Sequence, residues 1–569
     1  MPITEEWIGL IWLNFGSTYI IRCWTVGIAI LTSTCQLQLP CGATFDKSWK
    51  NKKCSELSAP ERSVVVSDFV PASFLLYGPG LDLPHTVLPV RYFYIQLVQR
   101  SGNNATKSPC EEYLRFWVEG KPIDQRFDDC RTASSVIDRH DGSFVLRYRM
   151  FTACSYMSLN VETFDGQMVA KAPYTIRAGS RPLLPDRCYC PLQSLSEWYS
   201  SMKCPETYVQ IEADLETWPH RGSENFTQAL ADAFQRWGKY PHSHSYCHYI
   251  IKDNQVYRKC YGEHVGFNMF SDAMLLSILR KVRLQDTQFL MNLGDWPLEQ
   301  PSRKLNMLVP MISWCGSNDT KDIVLPTYEI MESTLEMMGR QSLDMLSIQG
   351  MTGPPWAYKI GRAFWRGRDS RQQRLDAVKL SRNHPELLEA NITRFFFFRD
   401  KMDEYGPEVP NLPFGDFFNY KYQLTIDGTV AAYRLSYLLA GDSLVLKQDS
   451  PYYEHFYRDL KPWVHYVPIK RDLSDLIDHI KWAQRNEDKI QTIIRNAQAF
   501  ARNQLDPKEI FCYHAKVFEK YTTLLNEASK TKLDTTDMEH VPQNDKLAIC
   551  KCAMDKEKIA LQTKVNEEL

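Results

Sequence analysis

The sequence has no surplus of basic residues, no pair of Cys-x-x-Cys hooks and no Asp-x-Asp pair. Its 67 Lys and Arg residues are balanced by 68 Asp and Glu residues, so nucleic acid is not expected as a partner. The missing cysteine hooks disfavour structural zinc relative to disulfides. The missing Asp-x-Asp pair removes a common means of holding a divalent cation on a diphosphate, and we expect no metal cofactor.

Sixteen cysteines indicate disulfide bonds and therefore the secretory route. Cys247 and Cys260 flank a predicted hairpin that turns at residues 252–254. The two could pair across it, although sequence alone leaves the connectivity open. Acceptor sequons for N-glycosylation favour the same route, and they begin at Asn104, Asn225, Asn318 and Asn391.

Both ends of the chain resemble targeting segments. Residues 566–569 read Asn-Glu-Glu-Leu and resemble the Lys-Asp-Glu-Leu signal of the endoplasmic reticulum (ER). We therefore expect an ER-lumen location and a KDEL-type retrieval receptor as partner, with an ordinary acidic tail as the alternative. Residues 7–34 are apolar, but Glu5 and Glu6 precede them and Arg22 interrupts them. A poor signal peptide, a membrane anchor and an atypical start to the chain all stay open.

Composition divides the chain into four regions. Residues 1–63 form a leader. Residues 64–178 contain short runs of alternating apolar residues, which predict an immunoglobulin-like β-sandwich. Residues 185–525 alternate helical segments with short apolar runs, which predicts βα units and a parallel sheet. Residues 526–569 are polar and lack periodicity, and they predict a mobile tail.

A candidate catalytic acid follows one apolar run in the third region. Residues 287–293 have the pattern of a buried strand, Gly294 ends it, and Asp295 comes next. Because ligand crevices form at the carboxyl ends of strands in open α/β sheets, Asp295 is a candidate catalytic group. An ordinary turn that ends a strand is the alternative.

An arginine-rich turn lies at residues 363–374. An apolar strand ends at Gly367, Asp369 or Ser370 can cap a following helix, and four arginines lie in the turn. Arginine guanidinium groups and the N–H groups of a helix amino terminus both suit phosphate oxygens. The turn therefore predicts an anion site, with a solvated basic turn as the alternative.

A second candidate anion site lies at residues 422–434, which predict a strand, a tight Gly turn and a helix. A further strand at residues 443–447 completes a βαβ unit. Thr429 offers a hydroxyl, and the small residues Ala431 and Ala432 would let a ligand approach the first turn. The stretch contains neither G-x-G-x-x-G nor G-x-x-x-x-G-K, so it is not a nucleotide fingerprint by itself.

These three stretches supply what is needed to displace a sugar from a diphosphate. Arginines would neutralise the departing diphosphate, and one carboxylate would take the proton from the attacking hydroxyl. Asp295 fits the role of that base. We expect pairing with the arginine-rich side of the site to keep its carboxylate ionised.

Three motifs resemble those of the CAP10-type protein O-glucosyltransferases, the relatives of fly Rumi. They are Asn292-Leu-Gly-Asp-Trp-Pro297, Phe364-Trp-Arg-Gly367 with Arg374, and Asp427-Gly-Thr-Val-Ala-Ala-Tyr-Arg434. Turns at residues 77–81, 141–144 and 171–176 resemble those of a filamin-type repeat. With its KDEL-like end, the chain from about residue 65 onward is similar to the KDEL-containing protein O-glucosyltransferases, types 2 and 3.

The resemblance implies a GT-B fold of two Rossmann-like halves, with UDP-glucose as the donor and no metal. It implies a serine acceptor on folded EGF-like repeats, such as those of Notch or fibrillin, and leaves UDP-xylose open as a donor. By motif it implies Asp295 as the base, and Asp322, Pro326 and Tyr328 beside the acceptor peptide. The donor would be contacted by Arg368, Arg374, Thr429, Val430, Ala431, Ala432, Tyr433 and Arg434.

The match to the family has one departure within a motif. Arg368 stands where relatives such as Rumi have Ser, which leaves its contact with the donor open. A non-catalytic ER lectin or chaperone-like protein that binds cysteine-rich clients is the alternative function.

Overall fold

The computed structural model describes residues 52–82, 85–179, 181–216, 218, 225–239, 244–300, 308–336, 345–543, 550 and 552–553. The predicted signal or anchor and the KDEL-like tetrapeptide lie outside these residues. Within them, no helix is both long and apolar enough to span a bilayer.

The N-terminal domain is a β-sandwich. It contains helix α1 (Ala59–Asp68) and strands β1 (Leu75–Tyr77), β2 (Arg91–Gln96), β3 (Leu114–Pro122), β4 (Thr132–Asp138), β5 (Ser143–Met150), β6 (Cys154–Thr163) and β7 (Tyr174–Arg177). One antiparallel sheet has the order β1-β2-β5-β4 and the other β3-β6-β7, as in seven-stranded immunoglobulin-type sandwiches. Phe93 and Ile95 of β2 meet Met157 and Leu159 of β6 in one core. The filamin kinship stays a prediction.

The sandwich begins earlier in the chain than the predicted boundary. Cys54 is buried in the sandwich core and forms a disulfide with Cys110, and a second disulfide joins Cys130 to Cys154. The predicted leader of residues 1–63 is therefore too long. Its last residues lack strand alternation, and a disulfide that sequence could not assign holds them to the domain.

The remainder forms an α/β domain of two lobes and a C-terminal helical segment. The first lobe contains α2 (Leu195–Met202), α3 (Val209–Glu216), α4 (Phe226–Ala233), β8 (Tyr246–Lys252), β9 (Gln255–Tyr261), α5 (Asn268–Lys281), β10 (Thr287–Asn292), β11 (Met311–Ser313), β12 (Gly316–Ser317), β13 (Ile323–Val324), α6 (Tyr328–Leu335) and α7 (Met345–Ile348). The second contains β14 (Ile360–Arg368), α8 (Gln372–Asn383), β15 (Leu388–Arg394), α9 (Met402–Tyr405), β16 (Tyr420–Thr425), α10 (Leu435–Ala440), β17 (Leu444–Gln448), β18 (Tyr452–Tyr453), β19 (Val467–Ile469) and α11 (Leu476–Arg485). The chain continues with α12 (Glu487–Gln504), α13 (Pro507–Thr522), α14 (Glu527–Thr531) and β20 (Glu539–Val541).

The first lobe is built on a mixed sheet of order β13-β11-β10-β8-β9-β20. Strands β10, β11 and β13 are parallel, whereas β8 and β9 form the predicted hairpin. The hairpin turns at Asp253 and Asn254, both with left-handed φ angles (51° and 61°), and Cys247 pairs with Cys260 across it, a pairing that the sequence had left open. The prediction of a parallel sheet therefore holds for only half of this lobe.

The second lobe is built on a fully parallel sheet of order β15-β14-β16-β17-β19. Numbered by their order along the chain, its strands run 2-1-3-4-5, the doubly wound arrangement in which the chain reverses direction between the first and third strands. The carboxyl ends of β14 and β16 lie at that reversal, so a ligand crevice is expected there.

The predicted mobile tail is wrong for residues 526–543. They form α14 and β20, and β20 extends the first-lobe sheet by pairing with β9. Disulfides join Cys188 to Cys550 and Cys190 to Cys552. A short edge strand and two long-range disulfides leave no periodic signal in sequence, which explains the error.

The sandwich packs against the α/β domain through a shared core. Tyr92 and Tyr94 of β2 belong to the same apolar cluster as the lobes. The Tyr92 hydroxyl donates a hydrogen bond to Asp506, which caps α13, and Arg149 pairs with Glu336 at 2.6 Å. The two domains therefore form one continuous packed body.

Candidate active site

A cavity of about 740 Å³ lies between the two lobes, at the carboxyl ends of β14 and β16. It is lined by Asp295, Tyr328 and Glu329 from the first lobe. From the second lobe it receives all the residues that the motifs predict for the donor, namely Arg368, Arg374, Thr429, Val430, Ala431, Ala432, Tyr433 and Arg434. The structure thus brings the three predicted motifs to one crevice. This crevice lies where the second-lobe sheet reverses its winding, as expected for a ligand site.

Asn292 at the end of β10 sets the position of Asp295. Its side-chain oxygen accepts a hydrogen bond from Gly294 N (2.9 Å), and its amide nitrogen donates to Trp296 O (2.7 Å) and Ser313 Oγ (3.0 Å). These bonds fix the turn on both sides of Asp295. Asn292 is fully buried, so the turn is held from within the lobe.

The Asp295 carboxyl group does not have the charged neighbours that the sequence predicted. Burial alone raises its pKa, and no arginine of the described chain pairs with it. The expected ion pair with the arginine-rich side is therefore absent from this part of the chain. A carboxylate that is partly desolvated and unpaired is a stronger base once it is ionised.

Arg374 braces the loop that follows β16. Its Nε donates to Asp427 O (2.8 Å), its Nη2 to Ile426 O (3.1 Å), and its Nη1 to Arg368 O (2.9 Å) and Ser370 Oγ (3.3 Å). Four of its five N–H groups are thereby occupied. The guanidinium borders the cavity, but most of its donors hold protein oxygens and only one is left for a ligand.

The electrostatic environment of Arg374 favours an anion nearby. Burial first, and then the neighbouring charges of Arg434 and Arg371, together lower the pKa of this guanidinium to about 9, although Asp427 acts in the opposite direction. Burial also lowers the pKa of Arg434. Both pKa shifts mean that the protonated guanidinium groups are destabilised in this pocket, and a bound anion would stabilise them.

The guanidinium groups of Arg368 and Arg394 keep all their donors free, unlike that of Arg374. They end the neighbouring strands β14 and β15 and lie directly opposite each other in the parallel register. Both residues are exposed at the cavity wall, and neither guanidinium donates a hydrogen bond or forms an ion pair among the described residues. Like charges placed opposite each other repel, so the pair would be stabilised by an anion between them. Arg394 was missed by the sequence reasoning.

The loop after β16 departs from the predicted helix start. Helix α10 begins at Leu435, and residues 427–434 form an irregular turn in which Gly428 N donates to Val430 O at 2.8 Å. Arg371 donates to the carbonyls of Gly428 and of Thr429, the latter at 2.7 Å. A turn therefore stands where a helix terminus was predicted, and hydrogen bonds from Arg371 and Arg374 hold it in place.

Two glycines of the motifs are required by close packing. A Cβ at Gly367 would lie 2.8 Å from the Trp365 ring, and a Cβ at Gly428 would lie 3.0 Å from Arg374 Nη2. Because Arg374 is held by four hydrogen bonds, it has little freedom to move away.

The residues predicted beside the acceptor peptide separate into two groups. Tyr328 lines the cavity at the start of α6, whereas Asp322 and Pro326 are buried. The Asp322 carboxylate accepts hydrogen bonds from Leu298 N and Glu299 N, both at 2.9 Å. This placement is inconsistent with a direct contact between Asp322 and a peptide, and it makes Asp322 a support for the chain beyond Asp295.

The four glycosylation sequons lie in different settings. Asn104, Asn225 and Asn318 are exposed, and Asn225 caps α4. Asn391 is half-buried within β15. Modification of all four stays a prediction.

Over the described ranges, no group of three or more His, Cys, Asp or Glu side chains is arranged to hold a metal ion. What the cavity offers is an unpaired carboxylate on one lobe and two unpaired guanidinium groups on the other. This arrangement can bind a phosphorylated ligand and take up a proton beside it.

Comparison with known proteins agrees with this chemistry. The model of glycosyl transferase family 90 matches residues 199–566. Protein O-glucosyltransferase 2 of Danio rerio is 47% identical over 496 residues, covering 85% of this chain and 93% of the relative. Protein O-glucosyltransferase 3 of Homo sapiens is 46% identical, covering 84% and 92%, and protein O-glucosyltransferase 1 of Homo sapiens is 28% identical, covering 58% and 82%. The chain belongs to glycosyl transferase family 90.

Proposed function

We propose that this protein is an inverting protein O-glucosyltransferase that transfers glucose from UDP-glucose to serine on folded EGF-like repeats. The observation that carries the proposal is the cavity in which Asp295 shares one crevice with the free guanidinium groups of Arg368 and Arg394. Relatives named as protein O-glucosyltransferases support the transferred sugar and the protein acceptor.

The donor would lie along the second lobe. Its diphosphate carries negative charge that Arg368 and Arg394 can neutralise, and the turn at residues 427–434 would contact the nucleotide. The cavity volume of about 740 Å³ falls within the usual range for ligand pockets. Arg374 and Arg371 would act indirectly, because they hold this turn in place.

Asp295 would act as the general base. Its carboxylate takes the proton from the serine hydroxyl as the serine oxygen bonds to C1 of glucose. The bond between C1 and the β-phosphate oxygen breaks, its electron pair leaves with UDP, and the configuration at C1 inverts. Tyr328 borders Asp295 and would form part of the wall on the acceptor side.

Further parts of the proposal rest on the family resemblance and on the ends of the chain. We propose that the two lobes correspond to the halves of a GT-B enzyme, with a fully parallel sheet in the second. The six disulfides of the described residues support the secretory route, and residues 566–569 support retrieval to the ER lumen. Donor binding by arginine supports a transfer that needs no metal ion.

The direct test is glucose transfer by the purified full-length chain. We expect UDP-glucose and a folded EGF-like repeat to yield a repeat that is heavier by one hexose on a serine, in buffer containing a chelator. The same repeat, reduced and alkylated, tests the requirement for a folded acceptor. Failure of the wild-type protein to glucosylate any folded repeat, with UDP binding intact, would contradict the proposed acceptor.

A further inference from the structure

A second cavity, of about 480 Å³, lies where the sandwich meets helices α2, α12 and α13. We call it the junction cavity; its walls include Tyr77 and Tyr94 of the sandwich and Lys203 and Arg502 of the α/β domain. It shares no lining residue with the cavity that contains Asp295. A ligand of the junction cavity would therefore occupy a site separate from the donor cavity.

Two buried polar atoms of the junction cavity have no hydrogen-bond partner in the part of the chain that the structure describes. Tyr94 is only 6% exposed, and its hydroxyl makes no hydrogen bond. The Nη1 atom of Arg502 is also buried without an acceptor. A buried polar atom that lacks a partner costs free energy, and such atoms in a cavity wall indicate a ligand that supplies the missing acceptor.

The charges of the walls favour an anion as that ligand. Arg502 and Lys203 have no ion pair among the described residues, whereas Lys508 is paired with Glu509 at 2.7 Å. Two carboxylates also border the cavity. The Asp506 carboxylate already accepts hydrogen bonds from Tyr92 and from Glu509 N, and Asp82 lies at the half-exposed rim.

The unsatisfied groups are thus hydrogen-bond donors. A guanidinium, an ammonium and a phenolic hydroxyl together suit oxygen atoms that carry negative charge. Tyr77 stacks on Tyr94 with ring centroids 5.3 Å apart, which orients the Tyr94 ring at the cavity wall.

We propose that the junction cavity binds an oxyanion, a carboxylate or phosphate group, held by Arg502, Tyr94 and Lys203. The occupant would join the sandwich to α12, because its ligands come from both domains. Binding should therefore stabilise the whole chain against unfolding in proportion to the concentration of the anion.

Calorimetric titration of the full-length chain tests this site, with inorganic phosphate and acetate as separate probes and UDP in excess to occupy the donor cavity. We expect Arg502→Gln and Tyr94→Phe to weaken binding of the preferred probe, by about tenfold or more for Arg502→Gln. Arg495→Gln, an exposed arginine on the same helix, is the matched control and should bind as the wild type does. Binding of phosphate alone would assign a phosphate group, and binding of acetate would assign a carboxylate.

The Tyr94→Phe variant keeps the test decisive even if Arg502→Gln folds poorly. The Tyr94 hydroxyl has no hydrogen-bond partner among the described residues, so its loss should leave the melting temperature without anion unchanged and reduce only the rise produced by the probe. The proposal is overturned if the wild type binds neither probe in excess UDP. It is equally overturned if Tyr94→Phe and a folded Arg502→Gln bind both probes as the wild type does.

Discussion

Arg394 and Arg374 both line the donor cavity, but the structure predicts that replacing Arg394 weakens UDP binding, whereas replacing Arg374 lowers stability. The Arg394 guanidinium has no partner among the described residues, so Arg394→Gln should leave the fold intact and remove a charged contact to the donor. A hydrogen bond to a charged group contributes about 1.5–3 kcal/mol. Since Arg394 is exposed, the lower end applies, which corresponds to about a tenfold weaker affinity for UDP.

Arg374→Gln should instead lower stability. It would remove a buried guanidinium that satisfies three backbone carbonyls and the Ser370 hydroxyl. Leaving buried acceptors unpaired costs about 1–3 kcal/mol each, and relaxation of the loop would recover part of the sum. We expect the free energy of unfolding to fall by about 3 kcal/mol or more.

UDP titration by calorimetry and urea unfolding separate these effects. Arg399→Gln is the control, because Arg399 is exposed in the loop after β15 and does not line the cavity. It should behave as the wild type in both assays. The reasoning is refuted if Arg394→Gln binds UDP as tightly as the control, or if Arg374→Gln unfolds at the wild-type urea concentration.

Three further predictions follow from the site and from the disulfides. Because burial raises the pKa of Asp295, kcat/KM should fall as the pH drops through a value above the ordinary range for aspartate and level off at higher pH; an acid limb within the ordinary range would contradict this. Gly428→Ala should lower kcat/KM, since its Cβ would press on Arg374 Nη2 at 3.0 Å, whereas Gly361→Ala, with open space at its Cβ, should not. Replacing Cys550 and Cys552 together by serine should lower the free energy of unfolding by about 2–5 kcal/mol for each lost disulfide, as urea unfolding can measure, and an unchanged midpoint would show that these disulfides do not stabilise the fold.

Local patterns predicted the elements that carry the site. An apolar run stopped by Gly294 predicted β10 and the turn that presents Asp295, and the apolar run that ends at Gly367 predicted β14. These predictions succeed because a short apolar run that ends at a turn residue is the local pattern of a buried strand.

Contacts between distant residues could not be predicted in this way. Whether an arginine of the site is free or occupied depends on contacts with residues far away in the sequence. Arg374, for example, donates to Asp427 O, about fifty residues further along the chain. Arg394 ends β15 without any Gly or helix-capping pattern, and only the parallel register places it beside Arg368. One signal was available: Arg394 precedes four consecutive phenylalanines, two of which are exposed, an unusual end for a strand.

The prediction of a mobile tail failed at residues 526–543 for a similar reason. β20 is three residues long, too short for a strand pattern, and it pairs at the edge of a sheet whose other strands come much earlier in the chain. The expected pairing of Asp295 with arginine failed because the turn after β10 and the arginines lie on opposite lobes. Sequence identified the members of the site, whereas their distances and charges required the fold.

Glucose transfer by Asp295→Asn, measured together with UDP affinity, tests the central claim most directly. The amide keeps the size of the side chain but cannot take the proton, so transfer to a folded EGF-like repeat should fall by about 10²- to 10⁴-fold. UDP affinity should remain within about twofold of the wild type, because Asp295 makes no contact with the arginines. Transfer by Asp295→Asn at the wild-type rate would contradict the account.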